Sequence, residues 1–290
     1  MQGLITKLIS GAYTVVTEDF DAYVCKPRGT FRLNEINPKV GDKVIFDKDN
    51  KVILEVLPRK NDLIRPFVSN VDKMFLLFSF KEPNLNLTLL DRMLSILEYN
   101  SIESIIIFTK VDLINSESEI KLLDEITNYY KKIGYKVYHT SKFANNSFLL
   151  EEFKGCTCVF AGQSGAGKST LLNQFAPDLQ LKTQEISKAL GRGKHTTRHT
   201  ELHRVGDGWV ADTPGFGIVD FEFTDLLSFS HSFKEFFEVS TSCKFKGCLH
   251  VNEPGCAVKR LVESKEILKS RYENYLSFIE EIKENLKNKY

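Results

Sequence analysis

Net charge is nearly absent from this sequence: 39 Lys and Arg meet 38 Asp and Glu, leaving a formal +1 over 290 residues. No global field marks the chain as a nucleic-acid or membrane binder, so any basic surface has to be local. Long apolar runs are missing too. The opening MQGLITKLISGAYTVVTEDF lacks the uninterrupted apolar stretch of a signal peptide, and no later run approaches membrane-spanning length. A cytoplasmic protein with no membrane partner is expected. Internal repeats and low-complexity tracts are also absent. Cysteine is thinly spread except at one place: Cys25 stands alone, Cys156 and Cys158 share a strand-like segment, and Cys243, Cys248 and Cys256 cluster. In a reducing compartment such a cluster points to metal before disulfide. The other cysteines read as core residues.

The length exceeds a usual single domain, so two or three domains are expected. Short β-rich runs at Tyr13–Thr17, Ala22–Cys25, Lys43–Phe46 and Val52–Val56, punctuated by Gly and Pro, suit a small barrel. The segment PRKNDLIRPF, from Pro58, reads as a linker. Strands then alternate with helices. Met74–Phe80, Ile105–Phe108, Lys136–Tyr138, Thr157–Ala161 and Trp209–Ala211 are strand candidates. Leu87–Tyr99 carries helical spacing, and Leu122, Leu123, Ile126, Tyr129, Tyr130 and Ile133 form one helix face ending at Gly134. That alternation is an α/β layered domain with a largely parallel sheet. The tail from Glu263 to Tyr290 has helical spacing throughout and reads as a helix packed on its own domain.

Gly162-Gln163-Ser164-Gly165-Ala166-Gly167-Lys168-Ser169 satisfies the phosphate-loop pattern between an apolar strand and a helix that continues through Thr170. Its glycines let backbone N–H groups face phosphate oxygens, Lys168 should reach the β- and γ-phosphates, and Ser169 should ligate magnesium. Thr109-Lys110-Val111-Asp112 ends a strand and resembles the guanine-specificity motif of GTPases. In that motif the carboxylate accepts from the guanine ring N–H and exocyclic amine, a donor pair adenine does not present. Thr109 replaces the commoner Asn, leaving open one contact between this loop and the phosphate loop. Ser141, in His-Thr-Ser-Lys, resembles the second base-contacting loop and equally suits an ordinary polar turn. Asp212-Thr-Pro-Gly215 resembles switch II, whose Asp holds magnesium through water and whose Gly N–H senses the γ-phosphate. Between them runs Gly191-Arg-Gly-Lys-His-Thr-Thr-Arg-His-Thr200, in which Thr196 or Thr197 could complete the magnesium shell.

The order is unusual, because Asp112 precedes Lys168 and switch II ends the domain. The same site forms if the ordinary termini are joined and a new break opens after switch II. Beyond it, Cys243, Cys248, His250 and Cys256 supply a closed Cys₃His set, the donor set of a structural zinc site. Phe216 stands where many GTPases carry a water-orienting Gln, so hydrolysis by the free chain should be slow. His195 is the favoured water-positioning candidate, against an RNA contact or no role, and is a catalytic candidate alongside the phosphate-contacting Lys168; His199 is second.

The barrel start, the order TKVD, GQSGAGKS, GRGKHTTRH and DTPG, and C-x₄-C-x-H-x₅-C resemble the bacterial RsgA (YjeQ) family along essentially the whole chain. The resemblance implies an OB-fold at residues 1–62, a circularly permuted GTPase domain at 63–220 and a zinc-binding, largely helical domain at 221–290. It also implies a late assembly factor of the small ribosomal subunit whose GTPase that subunit stimulates, with its rRNA and GTP/GDP as partners, and a monomer. Lys26, Arg28, Arg32, Arg192, Lys194, Arg198, Lys244 and Lys246 could contact phosphates, and a solvated charged surface explains them equally well. Two readings from other classes remain: a P-loop ATPase or small-molecule kinase in which TKVD is coincidental, and a non-catalytic RNA-binding scaffold.

Overall fold

The computed structural model describes residues 1–33, 35–63, 67–176, 201–212, 221 and 223–288. The chain opens with β1 (Gln2–Ile9), β2 (Ala12–Val16), β3 (Ala22–Pro27), a single helical turn α1 (Thr30–Leu33), β4 (Lys43–Asp47) and β5 (Val52–Val56). Two short strands, β6 (Asp62–Leu63) and β7 (Val68–Ser69), precede β8 (Lys73–Ser79), α2 (Leu87–Tyr99), β9 (Glu103–Thr109), α3 (Glu117–Lys132) and β10 (Lys136–His139). Next come β11 (Thr157–Gly162), α4 (Lys168–Phe175), β12 (Glu201–Val205) and β13 (Gly208–Asp212). Four helices close the described chain: α5 (Leu226–His231), α6 (Lys234–Val239), α7 (Ala257–Glu263) and α8 (Lys269–Lys287). Among the described residues no helix is long and apolar enough to cross a membrane.

The chain divides into two compact units. The first takes Met1–Phe75, Phe143–Ala161 and the described part of Gly167–Phe216. In it β1 pairs with β2 and β4, β2 with β3, β4 with β5, and β3 runs parallel to β5, which closes a five-stranded barrel. Strand alternation drives this closure, since Ile5, Val15, Cys25, Val44, Phe46 and Ile53 all point into a fully buried core. β1, which the sequence pattern did not single out, also meets β12 at Lys7 and Glu201, whose side chains pair at 2.7 Å. β12 and β13 form a hairpin, and β13 runs parallel to β11 with Val159 opposite Ala211.

The expected linker from Pro58 contains structure of its own. β6 and β7 pair there, and Arg59 grips the buried Asp42 through Nε at 2.7 Å and a second nitrogen at 2.8 Å. Ser69 Oγ donates to the same carboxylate at 2.6 Å and Lys39 N at 2.7 Å, so four donors satisfy a charge that burial alone would make costly. Cys158 is fully buried as expected, whereas Cys156 precedes β11 and is only partly covered.

The second unit takes Leu76–Lys142, Gly162–Ala166 and the described part of Gly217–Tyr290. β10 and β9 are parallel, with Val137 opposite Ile106, and β8 follows β9 in the sheet. Asn86 caps α2 by accepting from Leu89 N at 2.9 Å, and α3 begins with a full capping box between Ser116 and Glu119. α3 buries Leu123, Ile126, Tyr129 and Tyr130 and ends against Gly134 at φ 90°. Leu122, expected on that face, is instead 49% exposed. At about 100° per residue Leu122 falls between the buried Tyr129 and Ile133 on the same stripe, so helical period alone does not account for its exposure. The tail helix expected from Glu263 begins only at Lys269, because Lys265 takes a left-handed φ of 64° and Ile267 turns inward, 2% exposed, in the turn between α7 and α8.

Aromatic side chains dominate the C-terminal core: Phe221, Phe223, Phe229, Phe233, Phe236, Tyr275 and Phe278 pack together. Beside them lies a buried polar cluster. Arg271 of α8 donates to Asp91 of α2 at 2.6 Å and, through two nitrogens, to Glu235 of α6. The hydroxyls of Tyr130 and Tyr129 on α3 donate to Asp91 at 2.6 Å and to Glu235 at 3.1 Å, and Asn274 donates to Asp91 at 2.7 Å. One buried cation thus holds two buried carboxylates, and four helices meet on it. Arg271→Met should leave both carboxylates uncompensated and destabilise the protein by about 3–5 kcal/mol. Chemical denaturation at pH 7 measures this; a loss under about 1 kcal/mol would mean that the cluster contributes only packing.

Candidate functional site

Within the second unit three loops converge. β11 is buried along its length and carries the chain into the glycine-rich turn at Gly162, where φ is 117°. No side chain fits there, because a Cβ on Gly162 would lie 2.3 Å from the carbonyl oxygen of Leu77. Gln163 N donates to that same oxygen at 3.0 Å, and Ala166 N closes the turn onto Gln163 O at 3.2 Å. Gly165 sits at φ 79°. The residue-by-residue need for glycine is thus steric at Gly162 and conformational at Gly165.

β9 delivers Thr109 to the same place. Its buried hydroxyl donates to Ala166 O at 2.7 Å, while its own carbonyl accepts from Phe80 N at 3.2 Å. The contact left open by the replacement of Asn is therefore present, made by a shorter side chain. Lys110 follows in a left-handed conformation (φ 57°, ψ 34°) and sends its ammonium to the Glu82 carbonyl. Val111–Leu113 then form a single 3₁₀ turn that carries Asp112 outward, exposed. Among the described residues no donor is bonded to the Asp112 carboxylate. The turn holding Ser141 lies alongside, since Val111 N donates to Thr140 O at 3.4 Å and Thr140 N donates to Phe108 O at 2.9 Å.

In the first unit, α4 starts at Lys168 behind Gly167, which takes φ 86° and offers no side-chain cap. Ser169 and Thr170 stand in its first turn. Burial pushes the Lys168 ammonium down to about 8, an environment that a polyanionic ligand would relieve. β13 ends at Asp212, whose side chain lies outside the described residues, as do His195, Thr196, Thr197, His199, Gly215 and Phe216.

A separate cluster in the second unit has metal-site chemistry. The ligand atoms of Cys243, Cys248, His250 and Cys256 all lie within 4.8 Å of one another. His250 Nδ1 is 3.3 Å from Cys256 Sγ and 3.7 Å from Cys243 Sγ. Tetrahedral bonds of about 2.3 Å to sulfur and about 2.0 Å to nitrogen set donors about 3.5 to 3.8 Å apart, so this donor set fits a metal ion. The loop is held from outside: Glu253 accepts from the backbone N–H groups of Leu249, Val251 and Asn252, and Tyr272 donates to His250 O at 2.7 Å. Burial pushes the Cys248 thiol up to about 12 and the His250 imidazole down to about 4. A dication reverses the preference at sulfur and favours thiolate, while neutral imidazole is already the ligating form. His250 Nε2 is buried with no hydrogen-bond partner among the described residues, its ring set edge-on to Phe236 at 5.8 Å.

Three features of the second unit escaped the sequence reading. The Phe80–Asn86 segment touches both nucleotide-type loops through main-chain carbonyls, which carry no residue signature. The Asp91–Arg271 pair joins positions far apart in sequence. Tyr272 supports the metal loop from a helix whose periodicity explains it equally well as core.

Comparison with known proteins gives a consistent picture. A family profile described as RsgA GTPase matches residues 56–222, and one described as RsgA N-terminal domain matches residues 2–52. The chain is 47% identical over 288 residues to the small ribosomal subunit biogenesis GTPase RsgA of Bacillus cereus, covering 98% of each. It is 48% identical over 285 residues to the protein of that name from Enterococcus faecalis, covering 97% of this chain and 95% of the relative. Among solved structures it resembles YloQ, a circularly permuted GTPase, with TM-score 0.84 and 40% identity over 98% of this chain and 95% of that one. YjeQ from Thermotoga maritima matches with TM-score 0.83 and 34% identity over 97% of each chain.

Replacing Thr109 with Val keeps the shape and orphans the Ala166 carbonyl, a loss of about 1–3 kcal/mol in a buried site. Thr109→Val should therefore bind GDP about 5- to 100-fold more weakly by calorimetry. Parent-like affinity in that variant would show that the hydroxyl does not hold the two loops together.

Proposed function

Since the chain belongs to the RsgA GTPase family, we propose that it converts GTP to GDP and phosphate during late maturation of the small ribosomal subunit. It is a hydrolase acting on GTP, with an α/β, circularly permuted P-loop GTPase fold, an N-terminal barrel and a largely helical C-terminal region carrying the Cys₃His cluster. The observation that carries the reading is the meeting of Thr109, Ala166 and the Thr140–Ser141 turn, which sets a guanine-type loop against a phosphate-type loop. The ribosomal role rests on the near full-length match to relatives named for it.

In this reading the chain works as a barrel at 1–62, a GTPase at 63–220 and a metal-held module at 221–290, as a cytoplasmic monomer. Asp112 accepts from the guanine N–H and amine, with the stem of Lys110 and the Ser141 turn completing the base site. Backbone N–H groups of 162–167 and the Lys168 ammonium hold the phosphates. Magnesium enters with GTP as part of the substrate, with Ser169 and either Thr196 or Thr197 as its ligands, Asp212 holding it through water and Gly215 sensing the γ-phosphate. Zinc in the Cys243, Cys248, His250 and Cys256 set is structural, since four protein donors leave no open position. Its contribution is to fold the loop that presents Lys244 and Lys246 to rRNA.

Phe216 has no group to orient water, so the free protein turns over slowly, and the subunit supplies what is missing by ordering the loop that carries His195. Hydrolysis measured with and without purified small subunits should show stimulation, of a size a trans-acting partner can give, about 10³-fold or more. His195→Ala should lose most of that stimulation and keep GTP affinity. An unstimulated parent protein would overturn the ribosomal reading.

Protein purified without chelators should carry about one zinc per chain by elemental analysis, a structural site being worth on the order of 10 kcal/mol of local folding energy. Removing the metal should unfold the C-terminal region and largely spare GDP binding. Metal-free protein with an intact C-terminal region would contradict the assignment.

A further inference from the structure

Between β8 and α2 the chain passes through Phe80–Asn86, a stretch that belongs to none of the nucleotide motifs and bonds to two of them. Lys110, beside the base-reading Asp112, places its ammonium on the Glu82 carbonyl. Gln163, second residue of the glycine-rich turn, donates through Nε2 to the Asn84 carbonyl at 2.6 Å. Two side chains from two different loops thus end on acceptors two residues apart on one piece of backbone, which sets the distance between those loops. Phe80 N adds a third tie, to Thr109 O at 3.2 Å.

The segment is itself anchored at both ends. Asn86 caps α2, so the far end moves only with that helix. At the near end Ser79 Oγ donates to the Lys81 carbonyl, and the Lys81 ammonium meets Glu119 Oε1 at 2.7 Å. Glu119 is the capping-box residue of α3, and its other oxygen accepts from Asn115 N at 3.2 Å and Ser116 N at 3.3 Å. These amides close the turn that begins at Lys110. Lys81 therefore joins the strap to the exit of the guanine-type loop without lying in any nucleotide motif.

We propose that Phe80–Asn86 is a positioning strap for the bound guanine nucleotide and that Lys81, through Glu119, is its positioning residue. The strap holds the base-reading and phosphate-type loops at their binding separation before the nucleotide arrives, so it acts on retention of nucleotide and leaves the chemical step alone. This rests on the guanine-nucleotide reading given above.

The Lys81–Glu119 pair is about one-third exposed on each side, with side-chain exposures of 28% and 30%, so a modest effect is expected. Lys81→Met should release a fluorescent methylanthraniloyl-GDP about three to five times faster in stopped flow. Its kcat at saturating GTP should stay within about twofold of the parent. The conservative Lys81→Arg, which keeps a cation on Glu119 and leaves the capping box of α3 intact, should retain slow release, which a merely structural lysine would not require. Unchanged release in Lys81→Met, a kcat that falls in step with retention, or release from Lys81→Arg as fast as from Lys81→Met would each overturn the strap. A parent protein that fails to hold the GDP probe would instead remove the nucleotide reading on which it rests.

Discussion

The hydrogen bond from the Thr109 hydroxyl to the Ala166 carbonyl, 2.7 Å long and shielded from water, is the constraint on which the proposed site depends. Thr109 and Ala166 stand 57 residues apart in the chain, so covalent continuity cannot set the spacing of the two loops. A bond between one side-chain hydroxyl and one main-chain carbonyl does so, because a buried carbonyl left unpaired costs more than the bond itself contributes. Everything nearby is arranged consistently with it. The Leu77 carbonyl receives Gln163 N where any Cβ on Gly162 would collide, and the Thr140 carbonyl receives Val111 N. The nucleotide-type loops are thus tied to strand ends, which are rigid, while Asp112 and Ser164 stand exposed on them.

The second organising feature lies away from this site. Arg271 is buried with Asp91 and Glu235, and two tyrosine hydroxyls on α3 complete their hydrogen bonding. Replacing such a cluster wholesale with apolar residues can be neutral, so its value is specificity of arrangement more than stability. Here the arrangement fixes α8 and α6 against α2 and α3. α3 is the helix that continues from the base-reading turn, and α8 supplies Tyr272 to the loop carrying the cysteines and histidine. A metal-held module and a nucleotide-type loop therefore share one rigid helix layer within the second unit.

What was legible in the sequence follows from where the physical signal is concentrated. The phosphate loop, the guanine-type tetrapeptide and the Cys₃His set each pack their determinants into a short window, and α2 was legible because its apolar spacing runs along its length. The barrel was legible from alternation at four strands, whereas β1 was missed. The remainder was hidden for identifiable reasons. Asp91 and Arg271 are 180 residues apart, and nothing local announces a buried partner. The Glu82 and Asn84 carbonyls act through atoms that every residue has. The hairpin of β6 and β7 sits where proline and charge read as linker, and the tail's unbroken apolar spacing concealed a turn at Lys265 because helix period alone does not register a left-handed residue.

The central claim is that this architecture reads guanine, and competition between GDP and ADP for the unmodified protein tests it most directly. A site built to satisfy two guanine donors on one carboxylate should reject the base that lacks them by about 10⁴-fold or more. Bound labelled GDP should therefore be displaced by equimolar GDP and survive an excess of ADP of that order. Displacement by ADP at concentrations within about tenfold of those needed for GDP would contradict the account.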